Sequence, residues 1–161
     1  MELQGTYQNL KRAYARRGEN FIQIDKEEKN GIPIYTTNYT NDESLLSDLK
    51  MSVAGDIGID GLFYRGAKIE SLERILETGH DIPEMDKGKS TWATKYLDKA
   101  AEYGGGSQFN GVHMQKDKLI IIYDNDSFDI TNDDGGYEVI FNKSPKEALK
   151  GVVVFKSREA E

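Results

Sequence analysis

Apolar positions recur at helical spacing in the first part of this 161-residue chain and gather into short runs later. Residues 6–17 place Tyr7, Leu10 and Tyr14 on one face, which predicts a helix that Gly18 stops. "NFIQI" (Asn20–Ile24) reads as a short strand. Lys26–Ser44 is polar and turn-rich, so a loop is expected there, with a short extended piece around Ile32–Thr36. Asn41 or Asp42 can cap a helix running to about Met51, with Leu45, Leu46 and Leu49 inward. "AGDIGIDG" (Ala54–Gly61) reads as a glycine-punctuated connector.

From Gly61 the pattern changes. "LFYRG" begins as a strand, and the pattern breaks at Arg65-Gly66 and restarts as a helix over Ile69–Thr78. Leu72, Ile75 and Leu76 form that helix's apolar stripe, Ser71 offers a cap for a slightly later start, and Gly79 ends it. "STWAT" (Ser90–Thr94) is a β-branched and aromatic run, read as a strand. A short helix follows in "YLDKAAEYGGG", with Tyr96, Ala100 and Tyr103 on one face. "KLIIIYD" (Lys118–Asp124) is an unbroken apolar run, which predicts a strand buried on both faces. "YEVIF" (Tyr137–Phe141) alternates, "SPKEALK" suggests one helical turn with Pro145 in first position, and "GVVVFK" (Gly151–Lys156) is a closing strand. Helices early, strands late and no regular βαβ repeat point to an α+β fold with a mainly antiparallel sheet.

Composition narrows the chemistry. The length fits one domain able to bury a core without staples. There is no cysteine, which removes disulfides and thiolate metal sites and fits a reducing compartment. Two histidines, His80 and His113, argue against a histidine-rich metal centre. A net charge of −7 argues against a broad DNA-binding stripe, although "LKRAYARRG" (Leu10–Gly18) is locally basic. No apolar stretch approaches the ~18 residues a membrane span needs. The first residues carry no apolar core, so no secretory signal is expected.

Dinucleotide-fold, phosphate-loop, nucleophile-elbow and zincin motifs are all missing. Three features remain. Arg65-Gly66 is either a surface pair past a strand end or a fork and a close-approach backbone held for an anion. Ser90, Thr91 and Thr94 bring hydroxyls beside the rings of Trp92, Tyr96 and Tyr103, which suits either an ordinary core or a site that stacks a planar ring. Glu138 interrupts an apolar strand and shares a face with Ile140, opposite Tyr137, Val139 and Phe141. That places the carboxylate at a sheet margin or in a site.

In their order and spacing these features resemble the ADP-ribosyltransferase superfamily, which transfers ADP-ribose from NAD and releases nicotinamide. "LFYRGAK" is similar to its first motif, an arginine or histidine followed by a small residue at a strand end. "GKSTWATKYLDKAAEYG" is similar to the second, a strand with Ser-Thr-Ser or tyrosine leading into a helix. "GYEVIFNKSPKEALKGVVVF" resembles the third, the strand of the catalytic glutamate. The matched region is about residues 62–156. The resemblance implies a split, mainly antiparallel sheet with N-terminal helices in a single domain. Residues 61–161 would be the NAD-binding core, and residues 1–60 a helical N-terminal extension or target-recognition region. It implies NAD as co-substrate, no metal, an acceptor that is a protein or a nucleic acid, and no membrane partner. The location implied is the cytoplasm, including a host cytosol for a delivered, toxin-like effector.

Residue by residue, the resemblance makes Glu138 catalytic, holding a ribose hydroxyl and stabilising oxocarbenium-like charge. Arg65 would hold NAD through phosphate or ribose, and Gly66 would offer backbone groups to the nicotinamide amide. Ser90 and Thr91 would be site hydroxyls, with Trp92 beside the nicotinamide and Tyr96 and Tyr103 as further NAD-binding rings. Arginine-modifying members carry Glu or Gln two residues before the catalytic glutamate; here that residue is Gly136. An arginine acceptor is therefore not expected. The alternatives are a non-enzymatic interaction or inhibitor domain on the same fold, and an NAD-dependent RNA 2′-phosphotransferase.

Overall fold

A computed structural model of the chain describes residues 23–40, 42–59, 61–102, 117–130 and 138–156. The expected helix over 6–17, Tyr103, His113, Gly136 and Tyr137 lie outside them. The first strand is Asp25–Lys29 (β1), one residue after the segment expected to be one. It turns through Asn30 (φ 55°) and Gly31 (φ 79°) into Ile32–Asn38 (β2), with Lys29 opposite Ile32. Two consecutive left-handed residues are what a two-residue hairpin loop needs, and Asn-Gly supplies them at low cost. The expected loop is therefore a hairpin. β1 is entirely charged, "DKEEK", because it is an edge strand that owes the core little and resists further pairing.

Helix α1 spans Glu43–Ile57, a turn and a half beyond the expected end at Met51. Asp42 caps it, its carboxylate accepting from the N–H of Ser44 (2.9 Å) and Leu45 (3.3 Å). The helix absorbs the expected connector because Val53 continues the stripe of Leu46 and Leu49, all three buried. Each such side chain contributes about 1.5–3 kcal/mol on full burial, enough to offset the ~1 kcal/mol that Gly55 costs mid-helix. Gly58 ends it at φ 85°, donating to the Ala54 carbonyl at 2.8 Å.

The remaining elements are β3 (Leu62–Lys68), a 3-10 turn (Ile69–Ser71) leading into α2 (Leu72–Thr78), β4 (Ser90–Trp92), α3 (Leu97–Glu102), β5 (Lys118–Asp124), β6 (Phe128–Ile130), β7 (Glu138–Phe141), α4 (Pro145–Ala148) and β8 (Leu149–Lys156). Ser71 takes the cap position of α2 but its side chain makes no capping bond. Pro145 opens α4 behind a capping box between Ser144 and Glu147.

The strands form two sheets, one in the order β1-β2-β8-β5-β3 and a smaller one in the order β4-β7-β6. Among the described residues only β2 and β8 run parallel; every other pairing is antiparallel. The fold is thus α+β and mainly antiparallel. Residues 25–38 belong to the main sheet, with β2 between β1 and β8, so position 60 is not a structural boundary and the N-terminal region is not wholly helical.

β5 is buried on both faces, as its apolar run requires. On one side of the main sheet, Tyr35, Tyr64, Ile122 and Phe155 pack with α1 and α3. On the other, Phe63, Ile121, Tyr123 and Val152 pack with α2, α4 and the small sheet. Among the described residues no helix is long and apolar enough to cross a membrane.

Candidate active site

The strand carrying Arg65 does not break there. β3 continues through Gly66 and Ala67 to Lys68, each opposite a β5 residue, with Arg65 facing Ile121 and Gly66 facing Ile120. The physical reason is that this segment is buried, and continuing the ladder pairs the backbone groups of Arg65 and Ala67 with β5 where a turn would strand them. The helix follows only after Lys68. Alternation turns Arg65 toward the face of Phe63 and Ala67, the side that meets the small sheet.

β3 is the edge of the main sheet, and there it meets the small one. The Tyr64 N–H donates to the Thr94 carbonyl at 2.7 Å, and the Thr94 N–H returns to the Tyr64 carbonyl at 2.9 Å. Backbone groups of alternate residues point to the same side of a strand. Gly66, two residues beyond Tyr64, therefore turns its N–H and C=O to this same edge.

Arg65 sits in the angle between the sheets. Its Nε–H donates to Asp81 Oδ1 at 2.8 Å and its Nη2 to Asp81 Oδ2 at 3.1 Å. Nη1 donates to the Trp92 carbonyl at 3.1 Å. Both partners of the ion pair are largely buried, their side chains 13% and 16% exposed. Trp92 is in turn the cross-strand partner of Glu138. The three stretches singled out in the sequence thus form one row, from β3 through β4 to β7.

Within the small sheet, pairing sorts the candidates by face. Ser90 lies opposite Ile140 and Trp92 opposite Glu138, so these four share a face. Ser90 and Glu138 are exposed and Trp92 half-buried. Thr91 and Val139 turn the other way, into the core. Ser90 and Thr91, expected to act together, are therefore separated. Tyr96 is also elsewhere: it lines a shallow pocket of about 190 Å³ with Leu46, Lys50 and Leu97, on the α1–α3 side of the main sheet.

Beneath the row lies a polar cluster that sequence reading missed. Gly79, at φ 93°, ends α2 and donates to the Ile75 carbonyl, turning His80 and Asp81 back toward the sheets. His80 is 1% exposed, with its ring stacked near Tyr123 and edge-on to Phe141. Its Nδ1 accepts from the Ile82 N–H at 2.9 Å, so the neutral ring carries its proton on Nε2, which donates to Thr91 Oγ1 at 2.8 Å. Burial, then the charge of Arg65, push the imidazole down to about 4 against the opposing pull of Asp81. Burial pushes the Asp81 carboxyl up, but the hydrogen bonds and charge of Arg65 outweigh it and hold it below its ordinary value. The Tyr123 hydroxyl donates to the Gly79 carbonyl at 2.6 Å, and burial raises its phenol well above the ordinary range. The one signal in the sequence was two ionisable residues set between a helix-ending glycine and Ile82, close to a cation inside an apolar strand.

The cluster leaves Arg65 partly committed. Asp81 and Trp92 engage three of the five N–H groups of its guanidinium. Among the described residues one N–H remains on each terminal nitrogen, next in the strand to Gly66 and, through Trp92, one strand from Glu138. A planar cation, a backbone edge and a carboxylate in sequence suit a ligand with an anionic part and a part that gains positive charge. No protein-family model, curated protein or solved structure matches this chain.

Proposed function

We propose that this chain is a mono-ADP-ribosyltransferase with the split sheet of that superfamily, using NAD as co-substrate and a macromolecular acceptor other than arginine. The observation that carries the reading is the row itself. The Arg65 guanidinium bonds to the Trp92 backbone, and Trp92 pairs with Glu138, so three distant stretches meet in the order that the motifs require.

In this reading the terminal N–H groups of Arg65 hold a phosphate or ribose oxygen of NAD. The backbone edge of Gly66 receives the nicotinamide amide. Ser90 and Trp92 flank the nicotinamide end, because they share the face of Glu138. Glu138 accepts a hydrogen bond from the ribose hydroxyl. As the bond from ribose C1′ to the nicotinamide nitrogen breaks, the electron pair leaves with nicotinamide and positive charge develops on the ribose. A carboxylate fixed beside that charge stabilises the transition state more than the ground state. The acceptor's nucleophile then bonds to C1′ and gives up its proton to solvent. Thr91 supports the site from behind through His80.

One observation favours a second reading, a non-enzymatic interaction domain: Asp81 already balances the charge of Arg65, as a purely structural ion pair would. The RNA phosphotransferase alternative gains nothing from His80, whose two ring nitrogens are engaged inside the core.

Calorimetric titration with NAD separates the first two. The wild-type protein is expected to bind NAD, and Arg65→Ala to bind it at least ~10-fold more weakly, the loss of one charge-assisted contact. Thermal melting establishes that the variant is folded. Equal affinity in the two proteins would take Arg65 out of the site.

A further inference from the structure

We infer that Asp81 is a positioning residue for the NAD site: it fixes the guanidinium of Arg65 so that the terminal N–H groups face the ligand. This rests on the NAD reading above and goes beyond it, because the motifs that suggested that reading do not include Asp81.

The geometry distinguishes two edges of the guanidinium. Asp81 takes the side edge, Nε and Nη2, with both carboxylate oxygens. The Trp92 carbonyl takes one N–H of Nη1. What is left over among the described residues is one donor on each terminal nitrogen, and each can donate to a phosphate oxygen. Asp81 is itself held, because it follows the buried His80 and precedes Ile82, whose N–H is bonded to the His80 ring. A free arginine loses much rotamer freedom when it binds a phosphate; one already clamped on its other edge has lost it during folding.

Asp81 also acts against the ligand, since its charge repels phosphate. Two facts weigh against that repulsion. The pair is close and bidentate, so a ligand meets a dipole with its donor end outward rather than a bare carboxylate. Arg65 is also largely buried, and without Asp81 it would be an uncompensated cation that gains by swinging into water and leaving the cleft.

The first test uses the wild-type protein, by following its arginine side-chain N–H signals by NMR during titration with NAD. The Arg65 Nε–H is expected to keep its hydrogen-bonded shift while the terminal N–H groups move. A large shift of the Nε–H would mean that NAD displaces Asp81, making the carboxylate a competitor and overturning the inference. The second test measures NAD affinity, and nicotinamide release at saturating NAD, in Asp81→Glu and Asp81→Asn. The Glu variant keeps the charge but moves the fork by a methylene. NAD affinity is expected to fall about 3-fold or more in Glu and about 10-fold in Asn, with kcat changed much less. Wild-type affinity in Asp81→Glu, or tighter binding by Asp81→Asn, overturns the positioning role while leaving the NAD reading intact. A wild-type protein that binds no NAD overturns the NAD reading itself and this inference with it.

Discussion

At the scale of single residues, the candidate site is organised by side chains that have no motif. Arg65 alone would be a costly cation in an apolar strand; Asp81 is what makes it affordable there. His80 is the sharper case, because it is buried as a neutral ring with a fixed tautomer. The unfolded imidazole titrates near 6.5 and the folded one near 4, so between those values the unfolded chain binds more protons. The stability that His80 contributes is therefore full above about pH 6.5 and lost as pH falls toward 4, on the order of 3 kcal/mol in all. Urea midpoints at pH 7 and pH 4.5 should show this loss in the wild-type protein and a smaller one in His80→Gln, which keeps a donor for Thr91. Parallel losses would mean that His80 is not held neutral. Sequence pattern identified Arg65 and Glu138 because each interrupts an apolar strand. It passed over His80 and Asp81 because they lie in a polar connection where charge is unremarkable, and only tertiary contact gives them meaning.

At the scale of elements, strand and helix types followed the apolar pattern wherever burial decided them. β5, β7, α2 and α4 formed where periodicity or capping chemistry placed them. β1 was not legible, because an edge strand of charged residues has no apolar signature, although the Asn30-Gly31 turn beside it is a strong hairpin signal. β6 was missed as well, because its three residues lie between the polar runs "NDS" and "TNDDGG". The close of α2 shows how tightly these elements meet. A Cβ on Gly79 would run into the backbone of Pro145 and Lys146 in α4, whereas one on Gly58 would meet nothing. Both have positive φ. Gly58→Ala should therefore cost only the backbone strain, about 1–2 kcal/mol, and Gly79→Ala that strain plus about 1–3 kcal/mol of overpacking. Urea denaturation of both variants measures the difference, and equal losses would mean that α4 does not pack on this turn.

At the scale of the whole molecule, the division into two sheets explains why the candidate site lies where it does. The main sheet ends at β3 and the small sheet at β4, and the Tyr64–Thr94 bridge joins their edges beside Arg65. The α+β class was readable from the order of helices and strands. The placement of β2 inside the main sheet was not, because the parallel pairing of residues 34–38 with 152–156 joins segments that no local pattern connects. The reading of function depends on one carboxylate, that of Glu138. The most direct test is nicotinamide release from NAD in the presence of a cell lysate containing acceptors, compared between the wild-type protein and Glu138→Gln. Release by the wild type and a fall of at least ~100-fold in the variant, with NAD affinity largely kept, is the predicted result. Equal release by the two proteins, or none by either, would contradict it.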